Sequence, residues 1–321
     1  MRHVLELSDL TALDIEVVFC LTRDLKTKWI EGIREPLLPG RVLALLLESI
    51  SFRTRVSFES AISQLGGRAV VLGSDVGFRT RENLADFCRV LSELVDVVVM
   101  RTIHHESLAK VASLSRCPVI NGRTTIGHPC QALADLFTAA EVLGSLRGRK
   151  LAYLGQPDGL ARSLAQGCAR LGMPFVLAAP KCRQLGAGFV ETIRRDFPAA
   201  EITITADALE AVHGAAVVYA GDWFPAKPVV NECDNVTDFQ VTANLLERAP
   251  AKAFRMHCLR LDYHPALNGA VFDHRKSLVS AQISNRLHVQ KGLLLWLLGS
   301  QGPDSRAGER ERAAIHADSR N

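Results

Sequence analysis

The chain has 321 residues, 48% hydrophobic and 22% charged, the make-up of a globular protein long enough for two ordinary domains. Its formal charge of +4 is small for this length and the basic residues are scattered, so no nucleic-acid surface is demanded, while a small anionic ligand is compatible. The cysteines at 20, 88, 117, 130, 168, 182, 233 and 258 include no C-x-x-C pair, which argues against a zinc knuckle or a disulfide scaffold and reads as reduced apolar residues of a cytoplasmic protein.

In chain order, the opening "MRHVLELSDLTALDIEVVF" carries acidic residues inside its apolar pattern, unlike a secretory signal. Alternation then sets in. "RVLALLLE" reads as a strand, "RVSFESAISQLGG" as a helix closed by glycine, and "RAVVLG" as a strand. "RENLADFCRVLSEL" is a helix, "VDVVVMR" a strand, "ESLAKVASLS" a helix and "CPVIN" a strand. Val- and Leu-rich runs separated by amphipathic segments predict a parallel sheet covered on both faces.

A long helical pattern follows, "PCQALADLFTAAEVLGSL", with Pro129 suited to its first turn. The alternation restarts with strands at "KLAYLG", "PFVLAAP", "EITIT" and "AAVVYAG". Between them lie helices at "LARSLAQGCARLG", "GAGFVETIRRDFP" and "DALEAVHG". The economical fold class is α/β, two parallel sheets flanked by helices and joined by one helix, with a site between them at the strand C-termini. "LHVQKGLLLWLLG" is apolar on too many faces for a surface helix and is expected to pack back across a domain, and its apolar runs are too short to span a bilayer. The polar stretch 300–321 has no apolar periodicity and reads as a disordered tail.

The first sign of chemistry is "SFRTRVSFESA", residues 51–61, directly after the first apolar strand. A helix N-terminus exposes unpaired N–H groups and a positive dipole end. Ser51, the Arg53 fork and Thr54 would complete a phosphate-sized pocket there. Taken by itself the stretch reads equally as an N-cap with surface arginines. No G-x-x-x-x-G-K-[ST] occurs, so a nucleotide P-loop does not explain it.

Further along, "GHPCQALADL" sets His128 and Gln131 one helical turn apart, and "MHCLR" sets His257 and Cys258 after the strand-like "AFRM". In this order the three motifs resemble the aspartate and ornithine carbamoyltransferase family, which carries S-x-R-T-R, H-P-x-Q and H-C-L-P or H-P-L-P. "INGRTTIGHPCQALADLFT" resembles the ornithine branch, "SNRLHVQKGLLLWLLG" resembles the family's terminal helix, and the resemblance runs from about residue 5 to 299.

The resemblance implies a carbamoyl-phosphate domain (1–132 with 285–299) and an amine-acceptor domain (133–284). It also implies a homotrimer, in which the loop "GSDVGFRTREN" matches one lent to a neighbouring site; Arg79 or Arg81 then reaches the phosphate there, and both read equally as exposed loop arginines. By the same resemblance, Ser51, the Phe52 backbone N–H, Arg53, Thr54 and Arg101 hold the phosphate. Thr54, Arg101 and His128 surround the carbonyl oxygen. Gln131, with backbone carbonyls around Cys258 and Leu259, binds the carbamoyl NH2. Cys258 contacts the amine and is not a nucleophile. No metal or cofactor is implied, and His104, His105 and His264 read as capping or surface residues rather than metal ligands.

Three stretches depart from the family. Where the ornithine branch has D-x-W-x-S-M-G, this chain has "DWFPAKP", and "GDGNN" is replaced by "GQPDG". The expected acceptor set is therefore Gln156, Asp158, Asp222, Trp223 and Lys227. In "HCLR", Arg260 stands where the family has a proline, and either replaces the arginine displaced from that loop or weakens carbamoyl binding. Loss of polar recognition groups argues for a changed substrate. The expectation is carbamoyl transfer to a diamino acid or related amine, free or carrier-bound, in specialised, antibiotic-type metabolism. Ornithine as acceptor is an alternative, as is a silent paralogue that only binds carbamoyl phosphate. A dinucleotide-binding dehydrogenase is a poorer fit, because "YLGQPDG" lacks G-x-G-x-x-G.

Overall fold

The computed structural model describes residues 2–49, 51–73, 83–223, 236–258 and 275–299. Helix α1 (Ala12–Ile30) opens with a capping box: Asp14 N–H donates to the Thr11 hydroxyl at 3.1 Å, and Thr11 N–H donates back to the Asp14 carboxylate at 3.0 Å. Strand β1 (Val42–Leu47), α2 (Phe52–Gln64), β2 (Arg68–Leu72), α3 (Leu84–Leu94), β3 (Val97–Arg101), α4 (His105–Leu114) and β4 (Val119–Arg123) form the first α/β unit. Its strands are all parallel, in the order β2-β1-β3-β4.

The two-residue period of the strands explains their composition. In β1, Leu43 and Leu45 face the main core, while Ala44 and Leu46 face a second cluster with Val98, Met100, Leu108 and Val111. With both faces covered, every position along the strand wants an apolar side chain, which is why these strands read as unbroken runs.

Helix α5 (Pro129–Leu143) leads into the second unit and is buried over most of its length. Strand β5 (Leu151–Leu154), α6 (Gly159–Leu171), β6 (Phe175–Ala178), α7 (Ala187–Asp196), β7 (Ile202–Thr205), α8 (Ala208–Val212), β8 (Val217–Ala220), α9 (Ala243–Arg248) and β9 (Phe254–His257) follow. These strands are also parallel, in the order β7-β6-β5-β8-β9. The fold is the expected one, two helix-flanked parallel sheets.

The last helix, α10 (Val279–Leu298), packs on α1, α2 and α5, as the apolar run predicted. It begins about two turns earlier than that run. The missed turns bury polar residues, Gln282, Asn285 and Arg286, which show no apolar period. They are held by side-chain partners instead: Asn285 Nδ2 donates to the Thr138 hydroxyl at 3.0 Å and to Glu141 at 2.6 Å.

One cysteine expectation is corrected: Cys182 is disulfide-bonded, whereas Cys20, Cys88, Cys117, Cys130, Cys168 and Cys258 are free thiols. Among the described residues no helix is long and apolar enough to cross a membrane.

Candidate active site

Each sheet reverses its strand order once, and the crevice at that point is where open α/β sheets bind ligands. In the first sheet the reversal lies between β1 and β3. Just past β1, Ser51 caps α2, its Oγ accepting from Thr54 N–H at 3.3 Å. Arg101 ends β3 beside it, donating from Nε to Ser49 Oγ at 3.2 Å and from Nη1 to Thr54 Oγ1 at 3.3 Å. Arg286 arrives from α10, donating to Thr54 Oγ1 at 3.2 Å, to Ser57 Oγ at 3.3 Å and to Gln131 Oε1 at 2.6 Å. A cavity of about 510 Å³ opens here, with Ser51, Phe52, Arg53 and Arg101 in its wall. An adjoining recess of about 50 Å³ adds Thr54, His128, Gln131, Cys258 and Arg286.

The guanidinium cluster raises the local positive potential and sets the state of its neighbours. Burial, with the nearby guanidiniums, brings Arg101 down to about 10, and burial brings Arg286 to about 10 as well. His128 is pushed well below the usual imidazole value, first by burial and then by Arg286, Arg123, Arg101 and Arg53. It is therefore a neutral ring at neutral pH, able to donate one N–H. Its backbone N–H donates to Ser163 Oγ at 3.0 Å, tying the start of α5 to α6. A Cβ on Gly159, at the first turn of α6, would lie 2.6 Å from Gly127 N, so this close approach requires glycine.

Beneath Gln131 a buried network joins the two sheets. Gln131 Nε2 and Gln282 Nε2 each donate to Asp135 Oδ1 at 2.8 Å, and the Tyr219 hydroxyl of β8 donates to Asp135 Oδ2 at 2.8 Å. Burial lifts the Asp135 carboxyl to about 6 despite these bonds. Gln282 also bridges β9, accepting from His257 N–H at 3.0 Å and donating to His257 O at 2.9 Å.

The second sheet reverses between β5 and β8. Past β5, Asp158 caps α6 by accepting from Leu160 N–H at 3.0 Å and Ala161 N–H at 3.1 Å. Past β8, the Asp222 carbonyl accepts from Gln156 N–H at 3.0 Å. Asp158 and Asp222 both face the recess. Gln156 is not in the wall of either cavity, and Trp223, only 7% exposed, packs on Phe239 with ring centroids 6.1 Å apart. Leu259, Arg260, Lys227, Arg79, Arg81 and His264 lie outside the described residues. His104 occupies the N-cap position of α4, and His105 sits 3.1 Å from the Thr124 hydroxyl and 3.6 Å from Glu6.

Sequence reading missed Arg286, Arg123, Asp135 and Ser163. Arg286 lay in the quoted "SNRLH" but before the apolar run that marked the helix. Arg123 ends β4 in register with Arg101 of β3. An arginine closing a second parallel strand was a readable signal.

Two parallel sheets, one presenting a guanidinium cradle and the other carboxylates across a shared recess, suit an enzyme that brings an anionic donor to an amine. The match to known proteins agrees. Residues 2–141 match "Aspartate/ornithine carbamoyltransferase, carbamoyl-P binding domain" and residues 147–297 match "Aspartate/ornithine carbamoyltransferase, Asp/Orn binding domain". The chain belongs to the aspartate/ornithine carbamoyltransferase family and is a carbamoyltransferase. It is 39% identical to an ornithine carbamoyltransferase of Anoxybacillus flavithermus, covering 92% of this chain and 96% of that one. An ornithine carbamoyltransferase of Bacillus subtilis is 36% identical over 92% and 94% of the two chains. The solved ornithine carbamoyltransferase of Pyrococcus furiosus superposes with a TM-score of 0.87 at 32% identity, covering 93% and 97%.

Proposed function

We propose that the protein transfers the carbamoyl group of carbamoyl phosphate to the side-chain amine of ornithine, releasing phosphate and a ureido amino acid. The observation that carries this reading is the placement of Ser51, Arg53, Thr54, Arg101, His128, Gln131 and Cys258 around one recess at the facing switch points. Residues 1–132 with 285–299 hold the donor and 133–284 the acceptor, a division supported by the packing of α10 on α1 and α2.

In the reaction the neutral amine attacks the carbamoyl carbon. The carbon–oxygen bond to phosphate then breaks, phosphate leaves with the electron pair, and the amine's proton passes to that phosphate. The α2 N-terminus, Arg53 and Arg101 hold the phosphate. Thr54, Arg101 and neutral His128 donate towards the carbonyl oxygen as charge grows on it. Gln131 and the segment at Cys258 and Leu259 orient the carbamoyl NH2, and Asp158 and Asp222 face the acceptor. Among the acceptor residues expected from sequence, Trp223 acts through packing.

Relatives named for ornithine favour that amine over the specialised acceptor expected from the altered motifs. The replaced "DWFPAKP" and "GQPDG" stretches favour a second reading, a different diamino acid, including one used in antibiotic-type metabolism. A trimeric assembly belongs to the proposal on family resemblance, and sedimentation velocity tests it. The deciding experiment measures ureido product from carbamoyl phosphate with ornithine and a panel of other primary amines. Ornithine as the best acceptor supports the main reading. A different diamino acid turned over well, with ornithine inert, establishes the second. Carbamoyl phosphate binding with no free amine turned over rejects the main reading and leaves a carrier-bound acceptor or the silent paralogue.

A further inference from the structure

Among the described residues, Arg123 is a cationic side chain of the site that neither holds the phosphate nor bonds Thr54. Arg101 and Arg286 both donate to the Thr54 hydroxyl, at 3.3 and 3.2 Å. Arg123 instead faces across to the second sheet, where its Nη2 lies 4.0 Å from Asp158 Oδ2. It lines the large cavity and the recess alike, and its side chain is 32% exposed.

That separation is longer than a charge-assisted hydrogen bond, which runs at about 2.7–2.9 Å, so the guanidinium fork keeps donors directed at the space between the sheets. The remaining charges have a definite sense. A phosphate dianion is matched by Arg53, Arg101 and the α2 N-terminus. Among the described residues, the acceptor side presents the cation Arg123 and the carboxylates Asp158 and Asp222. This set complements an amino-acid head, with its carboxylate on the guanidinium and its ammonium on the carboxylates.

We propose that Arg123 binds the carboxylate of the acceptor and so selects amino acids over simple diamines. This deepens the proposed function and rests on carbamoyl transfer to an amino-acid amine. The planar fork suits a carboxylate in two parallel hydrogen bonds, which a lysine cannot reproduce. It also puts the selecting charge on the first sheet, next to the donor, rather than in the "DWFPAKP" stretch. An amine without a carboxylate would leave this partly buried guanidinium with only the long 4.0 Å approach to Asp158 among its described ion-pair contacts, and discrimination of this polar kind is strong.

The test compares matched pairs, ornithine with putrescine and 2,4-diaminobutyrate with 1,3-diaminopropane, in the wild type, Arg123→Gln and Arg123→Lys. Ureido formation gives kcat and KM for each amine, carbamoyl phosphate KM is measured separately, and thermal melting checks that the variants fold. The wild type is expected to favour the carboxylated member of the productive pair by roughly a hundredfold in kcat/KM. Arg123→Gln should shrink that ratio about tenfold or more through acceptor KM, with carbamoyl phosphate KM little changed. Arg123→Lys should fall between, and it carries the test if the glutamine variant does not fold. A preference unchanged in the variants, or a defect confined to carbamoyl phosphate KM, overturns the inference and leaves the proposed function standing. Wild-type turnover of diamines alone, or of no amine in either pair, overturns both.

Discussion

The two switch points of this molecule are built alike in backbone and differ in charge. At each, a strand ends, a side chain caps the following helix, and the neighbouring strand brings a second charged residue to the crevice. At the first, Ser51 caps α2 and the charged residue is Arg101. At the second, Asp158 caps α6 and the charged residue is Asp222. One topology thus carries a guanidinium cluster at one switch point and a pair of carboxylates at the other, and the choice between them rests on a few side chains at fixed backbone positions. The fold sets where chemistry happens, and the residues at the strand ends set which chemistry.

If the sides divide the labour in this way, variants should separate cleanly. The largest effect is expected on the donor side: Arg101→Ala should lower kcat/KM by about 10²–10³, uniformly over all amines, since each fixed donor to the growing oxyanion contributes about 3 kcal/mol. A loss that depended on the amine would break the division. On the acceptor side, Asp222→Asn should change the ratio of kcat/KM between two amines by about tenfold or more, while carbamoyl phosphate KM stays put.

The bridge between the sides can be probed through stability. Tyr219→Phe removes the hydroxyl bonds to Asp135 and to His257 O (2.8 and 3.2 Å), leaving a buried carboxylate short of a donor. A loss of about 1–3 kcal/mol in chemical denaturation is expected.

The pH dependence of stability has opposing parts. His257, held at about 4 by burial and by Arg53, and His288, held at about 4 by burial and neighbouring lysines, stay neutral in the fold. Unfolded imidazoles bind protons below about pH 6.5, so these residues make stability fall as pH drops from about 6.5 to about 4. Asp135 acts in the other direction, because its carboxyl, raised to about 6 in the fold, holds a proton that the unfolded chain has lost. Its contribution to stability therefore declines as pH rises from about 4 to about 6. Denaturation across pH should show a shallower acid limb in His257→Gln and a steeper one in Asp135→Asn. The smallest effect is expected at Phe52, whose side chain is 76% exposed: Phe52→Ala should leave stability within about 0.5 kcal/mol.

The residues expected to hold the donor were legible as a cluster because they are local. The N-cap, the arginine fork and the hydroxyls fall within a few residues of "SFRTR", and His128 and Gln131 share one turn of α5. Of the acceptor set expected from sequence, Asp158 and Asp222 line the recess and Trp223 is a core residue packed on Phe239. A tryptophan next to a site motif looks the same in sequence whether its ring faces ligand or core. The first turns of α10 were missed because their buried face is polar, and Arg286 went with them.

By itself the sequence determined the alternation of strands and helices and their burial on both faces, which depend on side-chain period, and its motifs resembled those of the family. The tertiary structure alone decided which distant residues meet. Arg286 reaches Thr54 across 232 positions, Tyr219 closes on Asp135 across 84, and Arg123 faces Asp158 between sheets. No local pattern encodes those meetings, because they follow from the crossing of α10 over α2 and α5 and from the facing of the two sheets, where burial selects partners by geometry rather than by order in the chain.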